Sequence, residues 1–194
     1  MTAVKWFKDL FFTTKNNKEA KPISVAQKYP NLNLYLDKKG FDFIKNWEKY
    51  EAKPYRCPAG KMTVGFGHVI GPLETLPDGI TYHQAEELLR ADIAKRSHWI
   101  TINITKPLTQ GQYNALISLA FNATSDGDLS RVAPKAVLFL NEGDYINAAD
   151  QLFSKEHGLT KITGKDKTTG ERKTTKCQGL VNRRQAEWDM WNGK

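Results

Sequence analysis

The stretch Trp47-Glu48-Lys49-Tyr50-Glu51-Ala52-Lys53-Pro54-Tyr55-Arg56-Cys57-Pro58-Ala59-Gly60-Lys61-Met62-Thr63-Val64-Gly65-Phe66-Gly67-His68 sets an acid, a thiol and a hydroxyl around a predicted hairpin. Eight residues separate Glu48 from Cys57, and five separate Cys57 from Thr63. Phe41, Ile44 and Trp47 recur at helical spacing, which puts Glu48 near the end of a short helix over 41–51. Pro58 fits the second position of a type I turn, and Gly60 can take the positive φ that closes it. Cys57 and Thr63 then stand near the two ends of one tight loop. Gly65 and Gly67 flank Phe66 and weaken an ordinary strand; such glycines mark a bulge or the close approach of a ligand.

Glycosidic cleavage needs an acid to protonate the leaving oxygen and a second group to stabilise the sugar cation or activate water on the far face. Glu48 is the candidate acid, with Ile44 and Trp47 as apolar surroundings. Thr63 can hold a water through its hydroxyl. Cys57 has an unperturbed pKa of about 8.5, so it acts as a base only where something stabilises the thiolate. Without further context the same residues read equally as a solvated charge, a strand former and a small buried hydrophobe.

Outward from this stretch, Thr81-Tyr82-His83-Gln84 is a capping box, and Ala85, Leu88, Leu89 and Ile93 form a stripe to about residue 99. A second box, Thr109-Gln110-Gly111-Gln112, opens a helix with a stripe of Tyr113, Leu116, Ile117, Ala120 and Phe121. Leu108 and Tyr113 stand at its staple positions. Further helices are expected at about 131–141, 144–155 and 180–192. Residues 156–178 are dense in Thr, Lys and Gly; a solvated hairpin or loop is the favoured reading, and a basic arm for an anionic polymer is the other. Upstream, apolar residues at 3, 6, 7, 10 and 11 fit one helical face, and 13–24 read as a polar linker.

The chain has 194 residues, 40% hydrophobic and 26% charged, enough for a substantial core. Its net charge of +8 favours anionic partners: nucleic acid, a membrane surface or an acidic wall polymer. No recognisable nucleic-acid motif accompanies that charge. Two cysteines, Cys57 and Cys177, are few for a disulfide-built domain, and the four histidines lack metal-ligand spacing. No run of about 18 apolar residues predicts a membrane span, and the N-terminus does not read as a secretory signal.

The segment 47–68 resembles the active-site signature of the phage-type lysozymes, the endolysins of glycoside hydrolase family 24. The pattern there is Glu, eight residues, Asp or Cys, five residues, Thr, then Gly-aromatic-Gly-His; here Glu48, Cys57, Thr63 and Gly65-Phe66-Gly67-His68 fill it. Leu108–Leu116, Leu119-Ala120-Phe121-Asn122, Leu140–Tyr145 and Gly179–Glu187 resemble later family elements, so the likeness covers about residues 40–192. Cys57 stands where Asp is frequent, and Ala123 where a turn glycine is common nearby.

The resemblance implies an α+β, lysozyme-like fold: a small lobe with a β-hairpin, a long connecting helix and a mainly helical lobe. Residues 1–30 would be an N-terminal extension and 31–194 the two-lobed catalytic domain. The expected activity is muramidase cleavage of the β-1,4 bond between N-acetylmuramic acid and N-acetylglucosamine, serving host lysis, with no cofactor and no metal. Glu48 would be the acid, with Cys57 and Thr63 handling water. Phe121, Asn122 and Arg183 would line the cleft, Arg183 taking a stem-peptide carboxylate. His68 is expected to be a structural partner. The partner is peptidoglycan, with an anionic membrane surface as a candidate for the N-terminal segment, no specific nucleic acid, and a monomer. The protein would wait in the host cytoplasm, pass a membrane pore and act on the wall in the periplasm. An antibacterial effector and a non-catalytic peptidoglycan binder are the alternatives.

Overall fold

A computed structural model describes residues 24–57, 60–74, 78–165 and 171–194. The amphipathic N-terminal segment and most of the predicted linker lie outside them. Ser24, the last linker residue, instead caps a four-residue helix, α1 (Val25–Lys28), through a reciprocal bond with Gln27.

Helix α2 (Lys38–Glu48) starts where Asp37 accepts from Gly40 N and buries Phe41 and Ile44, as their spacing requires. It ends on Glu48. The next residue, Lys49, has φ +55 and ψ 152. That backbone region is nearly confined to glycine and costs a lysine about 1–3 kcal/mol. It swings the chain from α2 into the three-stranded antiparallel sheet β1 (Glu51–Arg56), β2 (Met62–Gly65) and β3 (His68–Val69), in that order.

The β1–β2 hairpin closes as the turn residues predict. Gly60 N donates to Cys57 O at 2.8 Å, Cys57 N donates to Lys61 O at 2.9 Å, and Gly60 has φ +79. The second hairpin was not foreseen. Gly65 (φ +65) and Gly67 (φ +87) turn the chain back so that Val64 pairs with His68. Gly65 also lets β2 approach the next helix: a Cβ there would sit 3.0 Å from that of Ala85.

That helix, α3 (Tyr82–Asn103), runs 22 residues, about 33 Å, and links the lobes. Its capping box is formed as written in the sequence. So is that of α4 (Gln110–Ala123), but α4 is no one-sided stripe: every residue from Tyr113 to Phe121 is buried. It is the axis of the helical lobe, packed by α2, α3 and α7 (Gln178–Trp191). Its polar positions are satisfied: Asn114 donates to Asp37 Oδ1 at 2.8 Å, and Ser118 donates to Glu187 Oε1 at 2.7 Å.

A 3₁₀ turn (Leu129–Arg131), α5 (Pro134–Glu142) and α6 (Tyr145–Phe153) cover the far side. β4 (Lys161–Lys165) pairs antiparallel with β5 (Arg172–Lys176) in unbroken register. Thr160 is fully buried at its base and accepts from Cys177 N at 2.9 Å, while Lys161, Ile162, Thr163 and all of β5 are exposed. This is the solvated hairpin that the composition favoured.

Candidate active site

Glu48 occupies the junction between the lobes. Arg183 reaches it from α7, its Nη1 donating to Glu48 Oε1 at 2.6 Å. The other oxygen faces the sheet: a Cβ on Gly67 would lie 3.8 Å from Glu48 Oε2. One carboxylate oxygen is thus held by the protein and the other looks onto a bare glycine. Arg183 also lies over Trp47, Cζ to ring centre 5.9 Å.

Arg183 does not open to a ligand. It is 4% exposed, and its guanidinium is committed to Glu48, to Glu187 Oε1 at 3.2 Å and to Ser118. The guanidinium expected to take a stem carboxylate is occupied by the protein's own acids. Arg184, 1% exposed, adds Nη2 bonds to Glu187 Oε1 at 2.9 Å and Asn122 Oδ1 at 3.1 Å. Its Nε stands 2.6 Å from Glu187 Oε2, poorly aligned for a hydrogen bond, so that contact is ionic. Burial raises the Glu187 carboxyl pKa against the pull of both arginines. Two acids and two guanidiniums balance one another here, and removing any one strands a buried charge.

Register fixes the other two residues. Thr63 pairs with Tyr55 and is 3% exposed; its hydroxyl donates to Lys61 O at 3.2 Å, which leaves its oxygen free to accept. Cys57 pairs with Lys61 through its backbone, so by the two-residue period it shares a face with Tyr55 and Thr63. It is half-buried, and no disulfide joins it to Cys177. Tyr55 connects the set. Its phenol pKa is raised by burial first, with Glu51, Cys57 and Glu48 adding to that through space. Register sets Cys57, Tyr55 and Thr63 on one face of the sheet, and Gly67 brings that sheet next to Glu48.

Phe121 and Asn122 end α4 beside this junction, Phe121 buried and Asn122 exposed. His68 is a structural partner as expected: Nδ1 lies 2.8 Å from Asp92 Oδ2 and Nε2 3.0 Å from Glu74 Oε2. The Asp92 bond is the main cause of its raised pKa. Among the described residues, no group of three His, Cys, Asp or Glu could hold a metal ion, and no helix is long and apolar enough to cross a membrane.

Sequence reasoning missed Tyr55, Arg184, Glu187 and Ser118. The i,i+3 and i,i+4 spacing of Arg184 and Arg183 to Glu187 stands in the sequence, but nothing local marks it as a buried network.

The model of the phage lysozyme family matches residues 45–187. The chain belongs to the phage lysozyme family. It is 36% identical over 154 residues to the endolysin of Acyrthosiphon pisum secondary endosymbiont phage 1, covering 79% of this chain and 95% of that one. It is 29% identical to the endolysin of Bacillus phage PZA over 82% of its own length, but spans only 55% of that longer protein. The solved endolysin from Escherichia coli O157:H7 phage FAHEc1 superposes with a TM-score of 0.68 at 28% identity, covering 82% of this chain and 94% of that one. The α+β lysozyme fold and the glycoside hydrolase class follow. As a family member the chain is an endolysin, a muramidase of phage lysis acting on bacterial peptidoglycan.

Proposed function

We propose that Glu48, Cys57 and Thr63 carry the hydrolysis of the β-1,4 bond between N-acetylmuramic acid and N-acetylglucosamine. The observation behind this is the divided carboxylate of Glu48: Oε1 fixed by Arg183, Oε2 open beside Gly67. From Oε2 the acid protonates the leaving oxygen. Thr63 accepts a hydrogen bond from the attacking water, and Cys57 orients it or takes its proton. Water attack on the far face inverts the anomeric carbon. Asn122 and Phe121 border the bound sugar, and Arg183 positions the acid.

Residues 31–194 form the catalytic domain and 1–30 an extension; the full burial of Asn31, whose amide bonds Ile104 O, Lys106 O and Leu108 N, supports that boundary. The enzyme acts as a monomer, reads no nucleic-acid sequence, and reaches the wall from the cytoplasm through a membrane pore. Contact of the N-terminal segment with an anionic membrane surface belongs to the same reading.

The test is release of reducing ends from purified peptidoglycan. Glu48→Gln is expected to lose about 10³-fold, in the range of a general acid. Thr63→Ala and Cys57→Ala should each fall by at least about tenfold, and Cys57→Asp should restore rate where Cys57→Ala does not. A Cys57→Ala variant at wild-type rate removes the thiol from the mechanism. A wild type that binds the wall yet releases no reducing ends is the non-catalytic binder instead.

A further inference from the structure

A cavity of about 490 Å³ opens between β3, the middle of α3 and the loop after α4. Gly67, the glycine beside Glu48 Oε2, lines it. Asn122 and Ser125 form the opposite wall. The acids in it are already engaged: Asp92 and Glu74 both bond His68. Arg96 also lines it, with no acid of its own.

Arg96 makes a single hydrogen bond, from Nη1 to the backbone oxygen of Asp92 at 2.8 Å. Its Nε is shut from solvent with no acceptor. Among the described residues no carboxylate lies within ion-pair distance of it, whereas Arg183 and Arg184 each have one. Burial pushes its pKa down, with Asp92, Glu48 and Asp126 opposing that only through space. The guanidinium is nevertheless fixed, 4.5 Å over the ring of Phe121. Behind it, Gly127 (φ +91) packs so close that a Cβ would sit 2.4 Å from Arg96 O. A partly buried cation held in place without an anion gains when a ligand supplies one. A flat, stacked guanidinium suits a carboxylate, which it grips with two parallel bonds. In peptidoglycan the glycan is neutral once its lactyl groups are amide-linked, and the carboxylates belong to the stem peptides.

We propose that Arg96 binds a stem-peptide carboxylate in this cavity and sets a preference for peptide-bearing glycan. The proposal rests on the muramidase reading. It is tested on soluble peptidoglycan fragments with native carboxyls and on the same fragments after carbodiimide coupling to ammonia. Wild-type KM is expected to rise about tenfold on amidation, the worth of one charge-assisted bond. Arg96→Gln should show that rise on native fragments and no further loss on amidated ones, with kcat within about twofold. Arg96→Lys, which keeps charge without the fork, should fall between. Unchanged wild-type KM on amidation overturns the proposal without any variant. So does an Arg96→Gln enzyme that still loses tenfold on amidation, or one that loses kcat alone. Co-sedimentation of wild type with native and amidated sacculi reads the carboxylate contact apart from turnover. If no fragment yields reducing ends, the muramidase reading fails, while the sedimentation difference still decides Arg96.

Discussion

At the scale of single residues, Arg183 separates two roles that sequence alone conflates. The family resemblance suggested a substrate contact; its 4% exposure and its bonds to Glu48 and Glu187 make it a holder of Glu48. Arg183→Ala should therefore cost about 3–5 kcal/mol, because it leaves Arg184 alone against two acids, as well as displacing Glu48. Thermal and urea unfolding check the first effect, and reducing-end release by folded protein the second. A surface contact would lose binding and leave stability intact. His68 gives a pH signature. Its folded pKa is raised, so its contribution to stability is complete below the unfolded value of about 6.5 and fades as pH rises through the folded one. Glu74 is lowered, chiefly by the Gly71 N–H and then by His68, so its share fades as pH falls below about 4.5. Asp92, with Lys95 at 3.8 Å, completes the surroundings. Melting temperature should fall from pH 6.5 upward in wild type, and His68→Gln should flatten that slope. Glu48, Cys57 and Thr63 could be named as candidates, and His68 as a structural partner, because they lie in one short stretch. The bond from Glu48 to Arg183 spans 135 positions, and no local pattern encodes it.

At the scale of elements, what was written locally formed locally. Both predicted capping boxes are present, since each needs only a hydroxyl and a Gln three residues apart. The burial of α4 on all sides was not legible: the apolar stripe leaves out Asn114 and Ser118, which Asp37 and Glu187 meet from elsewhere in the fold. The β4–β5 hairpin is the converse, an element that the rest of the molecule barely needs. Lys161 stands opposite Lys176, a like-charge pair that weakens the ribbon. Its two feet are already joined by the bond from Cys177 N to Thr160 O. Replacing residues 162–175 by Asn-Gly should keep melting temperature within a few degrees and turnover on purified fragments within about twofold. A collapse of helix content on circular dichroism would show that the hairpin supports α7.

At the scale of the whole molecule, two lobes share one long helix, and the site draws on both. To the proposed site the sheet would supply Cys57, Thr63 and Gly67 and α2 would supply Glu48, which Arg183 of α7 holds. The two-lobed α+β plan was legible through the resemblance to the phage-type lysozymes carried by the 47–68 stretch and the later family elements. The depth of the interlobe charge network was not, since burial is a property of the assembled molecule. That assembly has a consequence for synthesis. A chain released from the ribosome before residue 183 carries Glu48 but nothing to hold it. A wall-cutting enzyme built this way is incomplete until nearly its whole length has been translated, and fragments lacking the final helix lack the site.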